Sequence, residues 1–196
     1  MRLVEGIATV EDVESFVDRL AAIGDDHGAT VQAFDARYVL DREHLRRAVD
    51  LADRAIERGE NVARDRAVEI LCYAAGRRQI HRALEMGVDE GEMAVVVLVD
   101  GGDGGRSSDA SSSGVDASDA SSSGVDASDA SSSVSGDESA AAGAVADLLA
   151  PAETLGRYDD DRVRAFFDVQ QRELAATDGS LADAVHERVA LLDVEK

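Results

Sequence analysis

Residues 108–117 read SDASSSGVDA, residues 118–127 repeat all ten, and SDASSSV follows at 128–134. The surrounding stretch, 101–139, opens with GGDGG and holds no aromatic residue and only three valines. Such a segment buries too little apolar surface to offset the entropy of ordering it. It is expected to be a disordered Ser/Asp/Gly insertion. Any core must then be closed by residues 1–100 and 140–196 acting as one folded domain. Calcium-binding repeats also use Gly and Asp, but their period and their glycine pairs are absent from this one.

The two flanking parts differ in pattern. RLVEGIATV (2–10) reads as a first strand, and 10–24 as a helix with Val13, Phe16, Val17 and Leu20 on one face and Gly24 at its end. ATVQAFDARYVL (29–40) reads as a second strand. A helix N-capped by Asp41 follows, with Leu45, Ala48, Val49, Ala52, Ala55 and Ile56 on its apolar face and Gly59 as its stop. DRAVEILCYAAG (65–76) is apolar on nearly all sides and predicts a buried helix. MAVVVLV (93–99) is a continuous apolar run of strand length, so it predicts a central strand covered on both faces. After the insertion every segment reads helical, with Pro151 as a breaker. The fold class expected is α+β: a small mixed or antiparallel sheet surrounded by several helices.

Charge sets a second boundary. The chain carries 41 acidic residues against 20 basic ones, a formal net charge of -21, and Lys196 is its only lysine. The insertion accounts for -7 of this, so -14 remains on the folded parts. Self-repulsion of that size destabilises a compact state in dilute buffer. At molar salt, where the Debye length is about 3 Å, it costs far less. Acid spread along the whole length fits a protein of a salt-loaded cytoplasm; a chain that binds a basic partner is the competing reading. The lone Cys72 allows no internal disulfide. The start is not a signal peptide, and no run approaches the ~20 apolar residues of a membrane span. A cytoplasmic location is expected.

No catalytic constellation is present. The four histidines (27, 44, 81, 186) form no metal-ligand spacing and are expected at the surface or on helices. Asp159–Asp161 suit a helix N-terminus better than a divalent ion. No P-loop, nucleophile elbow or dinucleotide fingerprint appears. The expectation is a non-enzyme with no cofactor and no metal.

One stretch stands against the acidic background: AGRRQIHRALEMG, residues 75–87. Gly76 suits the residue that ends the buried helix. Arg77, Arg78 and Gln79 would then start the next helix, whose apolar contacts would be Ile80, Ala83 and Leu84. Cations at a helix start oppose the dipole. Either they form an anion receptor there, or acids such as Glu69 or Glu85 pair with them.

The run ERGENVARDRAVEILCYAAGRRQIHRALEMGV (57–88), the C-terminal HERVALLDV (186–194) and the order of elements resemble the TPRKB-like accessory subunit of the KEOPS complex in its archaeal form. The resemblance covers about 1–100 and 140–196. The insertion and the near absence of lysine depart from it. The resemblance implies a non-catalytic subunit that contacts a small kinase-like ATPase subunit. It also implies capture of the single-stranded CCA end of tRNA, in support of threonylcarbamoyladenosine formation next to the anticodon. Single-stranded ends are bound by stacking and phosphate contacts. On this reading Arg77 and Arg78 supply guanidinium, Gln79 an amide, Ile80 an apolar wall and Tyr73 a stacking ring. A pure scaffold that docks on the kinase-like subunit without touching RNA is the alternative. Val189, Leu191 and Leu192 are its candidate partner surface.

Overall fold

In the computed structural model, which describes residues 1–102, 137–176 and 179–192, the valine run is the middle of the molecule. Strand β3 (Gly91–Asp100) sends Val95, Val97 and Val99 into one apolar cluster and Val96 and Leu98 into another. All five are fully buried. A strand covered on both faces has no polar side, which is why the run is unbroken.

β3 pairs antiparallel with β1 (Arg2–Val10) along its whole length, from Arg2 opposite Val99 to Val10 opposite Gly91. Its other edge pairs antiparallel with β2 (Thr30–Asp35). A two-residue strand, β4 (Ala150–Pro151), extends the far edge of β1, giving the order β2-β3-β1-β4. The sheet is therefore antiparallel throughout. β4 replaces the helical reading of this region. Pro151 is accommodated because an edge strand needs no ladder donor on its open side.

Helices cover the two faces unequally. On one face lie α1 (Val13–His27) and α5 (Glu138–Ala146). On the other lie α2 (Arg42–Arg58), α3 (Arg66–Ala74), α6 (Asp160–Phe167) and α8 (Leu181–Leu191). Two short helices, α4 (Ile80–Ala83) and α7 (Gln171–Ala176), complete the set. Segments from both sides of the insertion thus share one sheet and both apolar clusters.

Caps explain the boundaries. Asp12, Asp41, Asp65, Asp137, Asp159 and Ser180 each accept a backbone N–H from the first turn of the helix they precede. Asp159–Asp161 act as the sequence suggests, as a cap and first-turn charge. Helix α1 runs past Gly24 to end on Gly28, which adopts φ 62°. Gly24 serves another purpose: a Cβ there would lie 2.5 Å from the Ala29 carbonyl oxygen. Of the apolar face expected for α1, Phe16 and Leu20 are buried, while Val17 is exposed. The second strand stops at Asp35, whose carboxylate accepts the Arg37 N–H and starts a short 3-10 turn, Ala36–Tyr38.

The repeat lies outside the described residues. Its roots do not. Asp137 and Glu138 belong to α5 rather than to the insertion, and the Gly101 N–H donates to Glu138 Oε1 at 2.9 Å. The expected boundary at 139 therefore moves inward on the C-terminal side.

Candidate functional site

Helix α3 ends in a tight hydrogen-bonded turn. The Gly76 N–H donates to the Tyr73 carbonyl and the Arg77 N–H to the Cys72 carbonyl, each at 3.0 Å. Gly76 adopts φ 58°, the left-handed conformation that this helix ending needs and that glycine adopts without strain. The chain then crosses Arg77–Gln79 as a connection and enters the single turn α4 at Ile80. Arg77 and Arg78 thus precede a helix instead of starting one. A one-turn helix sums too few peptide dipoles to explain an anion site by itself.

The two arginines differ. Arg77 is half-buried and committed on one side: its Nη2 donates to the Phe166 carbonyl, and its guanidinium carbon sits 5.6 Å from the Phe166 ring centroid. Phe166 in turn packs on Tyr38 at 4.9 Å and Phe167 at 5.0 Å between ring centroids. Arg78 is also half-buried, but it has no hydrogen bond or ion pair among the described residues. Glu69 and Glu85 do not pair with either one. Glu69 is 1% exposed, and its Oε2 accepts the Val62 and Ala63 N–H groups at 3.0 and 2.7 Å. Among the described residues, therefore, no acidic side chain pairs with either arginine.

Around this loop the surface opens in three places. A water-sized cavity of about 10 Å³ lies between Val62, Glu69, Cys72, Tyr73, Arg77, Arg78 and Leu192. A cleft of about 230 Å³ runs between Gly76, Arg77, Phe167, Asp168, Arg188, Leu191 and Leu192. A third opening of about 140 Å³ is bordered by Arg77, Arg82, Glu85, Ala165 and Phe166. Arg77 borders all three. Of the residues singled out for RNA, Tyr73, Arg77 and Arg78 border these openings, and of those singled out for a protein partner Leu191 and Leu192 do; Gln79, Ile80 and Val189 border none of the three.

Their exposures sort them. Gln79 is exposed, as are Ile80 (37%), Leu84 (55%) and Leu191 (38%). Tyr73 is 3% exposed and belongs to the core, so its ring offers almost no face to a ligand in this conformation. Val189 is fully buried and Leu192 nearly so; of the three C-terminal residues only Leu191 presents a side chain outward. Ala83 packs into the core, whereas Ile80 and Leu84, expected to do the same, lie at the surface.

Three residues bordering the cleft, Phe167, Asp168 and Arg188, are not among those the sequence singles out. Arg188 reaches Glu173 at 3.1 Å and the Asp168 carbonyl at 3.3 Å, and it frames the side opposite Arg77. Phe167 forms part of the floor. The spacing of Arg188 to Leu191 and Leu192, three and four residues on, places them on one helical face and was the available signal. His44 lies on helix α2, one of the two placements expected for it, but not at the surface. It is fully buried, its Nε2 lies 2.8 Å from the Ala74 carbonyl oxygen, and burial pushes its pKa down to about 4.

Among the described residues no group of His, Cys, Asp and Glu could hold a metal ion, and no helix is long and apolar enough to cross a membrane. Comparison with curated proteins returns no match. A family model does match, over residues 8–193, which is most of the chain and includes the loop, the cleft and helix α8. The chain belongs to the family of kinase binding protein CGI-121.

Proposed function

We propose that the protein is a non-catalytic KEOPS subunit that binds the single-stranded CCA end of tRNA at the Gly76–Ile80 loop and docks a kinase-like subunit, in support of threonylcarbamoyladenosine formation. The observation that carries the RNA part is Arg78, a half-buried guanidinium with no hydrogen bond or ion pair among the described residues, on the loop whose Arg77 borders the cleft. A guanidinium left free in an acidic protein is suited to a phosphate oxygen or a stacked base. Arg77 is fixed on Phe166 and holds the loop's shape while keeping part of its donor set outward. Gln79 supplies an amide for a base edge, and Ile80 and Leu191 supply exposed apolar contact. Tyr73 supports the loop from within and stacks on a base only if the small cavity beside it opens.

Membership of a kinase-binding family supports the protein partner. Leu191, with Val189 and Leu192 packed beneath it, is the candidate contact on helix α8. The surrounding chemistry is read as that of an archaeal cytoplasm loaded with salt, in which an acidic, lysine-poor surface is solvated and stable.

Replacing Arg77 and Arg78 together with Glu tests the RNA reading. We expect tRNA binding at molar salt to weaken at least ~10–100-fold, the loss of one to two charge-assisted hydrogen bonds. Co-elution with the kinase-like subunit should persist. Unchanged tRNA binding would remove these two arginines as the RNA site, and absence of tRNA binding by the unaltered protein with retained kinase binding would establish the scaffold reading instead.

A further inference from the structure

Of the four histidines only His44 is fully buried, and its position in the first turn of α2 is far in sequence from everything it holds. The carbonyls at the end of α3 need partners from outside the helix. The turn at Gly76 satisfies those of Cys72 and Tyr73, and the Ala75 N–H takes that of Leu71. The Ala74 carbonyl remains, inside the core, and His44 Nε2 meets it at 2.8 Å. A carbonyl only accepts, so Nε2 carries the proton and the neutral ring leaves Nδ1 as an acceptor. That atom is buried with no hydrogen-bond partner. Two rings lie beside it: Phe167 meets it edge-on at 5.8 Å, and His186 is 6.3 Å away.

Asp41, three residues earlier, completes the arrangement. Its Oδ1 accepts the His44 backbone N–H at 2.7 Å and lies 3.2 Å from His186 Nε2 on α8. The first turn of α2 is thereby tied to the end of α3, which launches Arg77 and Arg78, and to α8, which carries Arg188 and Leu191. We propose that His44 is a positioning residue, whose Nε2–H anchors the last buried carbonyl of α3 and so fixes the loop that presents Arg77 and Arg78. Apolar packing would not need a donor at this position; an imidazole with one nitrogen left unpaired is tolerated because the other is indispensable. The functional consequence rests on the reading of that loop as an RNA-end surface, whereas the anchoring itself does not.

Two variants and one spectrum test it. His44→Leu keeps comparable volume without a donor, and His44→Gln keeps an amide donor at similar reach. Hydrogen exchange of the Gly76 and Arg77 amides should quicken roughly tenfold or more in H44L relative to amides of β3, and H44Q should restore most of the protection. Affinity for a CCA-ended RNA should follow the same order. Nitrogen-15 spectra of the wild-type ring should show the Nε2–H tautomer, a readout that survives if H44L does not fold. The proposal is overturned by an Nδ1–H tautomer, by unchanged exchange in H44L, or by equal loss in H44Q and H44L. Exchange that responds while RNA affinity does not would uphold the anchor and overturn the RNA reading of the loop.

Discussion

His44 is where residue chemistry and solution behaviour connect most tightly. Its folded pKa, pushed down to about 4 by burial, lies below the ordinary histidine value of 6.5. As pH falls from 6.5 toward 4 the unfolded chain takes up a proton that the native ring refuses. The stability associated with the neutral ring is complete above pH 6.5 and is lost progressively down to about pH 4, by roughly 3 kcal/mol. Urea midpoints measured across that range should fall in the wild type and flatten in His44→Gln; equal slopes would remove His44 as the cause. The residue was partly legible in the sequence. Its spacing to Ala48, Ala52 and Ala55 puts it on the buried face of α2, but a helical wheel does not say which distant carbonyl it meets. Arg78 shows the converse limit. Its charge and neighbours are visible in the chain, and its lack of a partner among the described residues is not.

Among the elements, α3 decides where the site lies. It is buried from Glu69 to Ala74, and Glu69 is the charge that this burial has to accommodate. Its carboxylate holds the Val62 and Ala63 N–H groups, fastening the α2–α3 connection against the helix. Replacement of Glu69 by Ala leaves the buried Ala63 N–H and the part-buried Val62 N–H without that acceptor and should destabilise the protein by about 1–3 kcal/mol. Chemical denaturation would measure it; a loss under about 0.5 kcal/mol would place it with ordinary surface changes. The long periodic elements, α2, α3, β1 and β3, were readable because each buries a whole face or both faces. Short elements were not. β4 has two residues and no period, and α4 is one turn whose apolar Ile80, like Leu84 just after it, faces outward. The end of α1 was misplaced because Gly24 and Gly28 both resemble a stop, and only packing against Ala29 tells them apart. The convergence of the loop with α8 is a tertiary fact, carried by contacts across about a hundred residues.

At the scale of the whole molecule, a sheet shared by both flanks makes the insertion a side branch. The hydrogen bond from Gly101 to Glu138 brings its roots together. Replacing residues 103–136 with a short Gly/Ser linker should leave the melting temperature level or raise it, since loop-closure entropy changes by about 2 kcal/mol at most. A drop of more than about 10 °C would show that the segment supports the fold. The acidic charge belongs to this scale as well: it is spread over the chain, and against it the few arginines around the cleft stand out locally. On the function proposed above, this local surface captures an RNA end. The most direct measurement is the affinity of the full-length protein for one tRNA with and without its terminal CCA, at molar salt, where phosphate contacts shared by both RNAs are weakened. Clear binding of the intact tRNA is expected, with at least tenfold weaker binding of the truncated one, a difference of about 1.4 kcal/mol. Equal affinity for the two would contradict it.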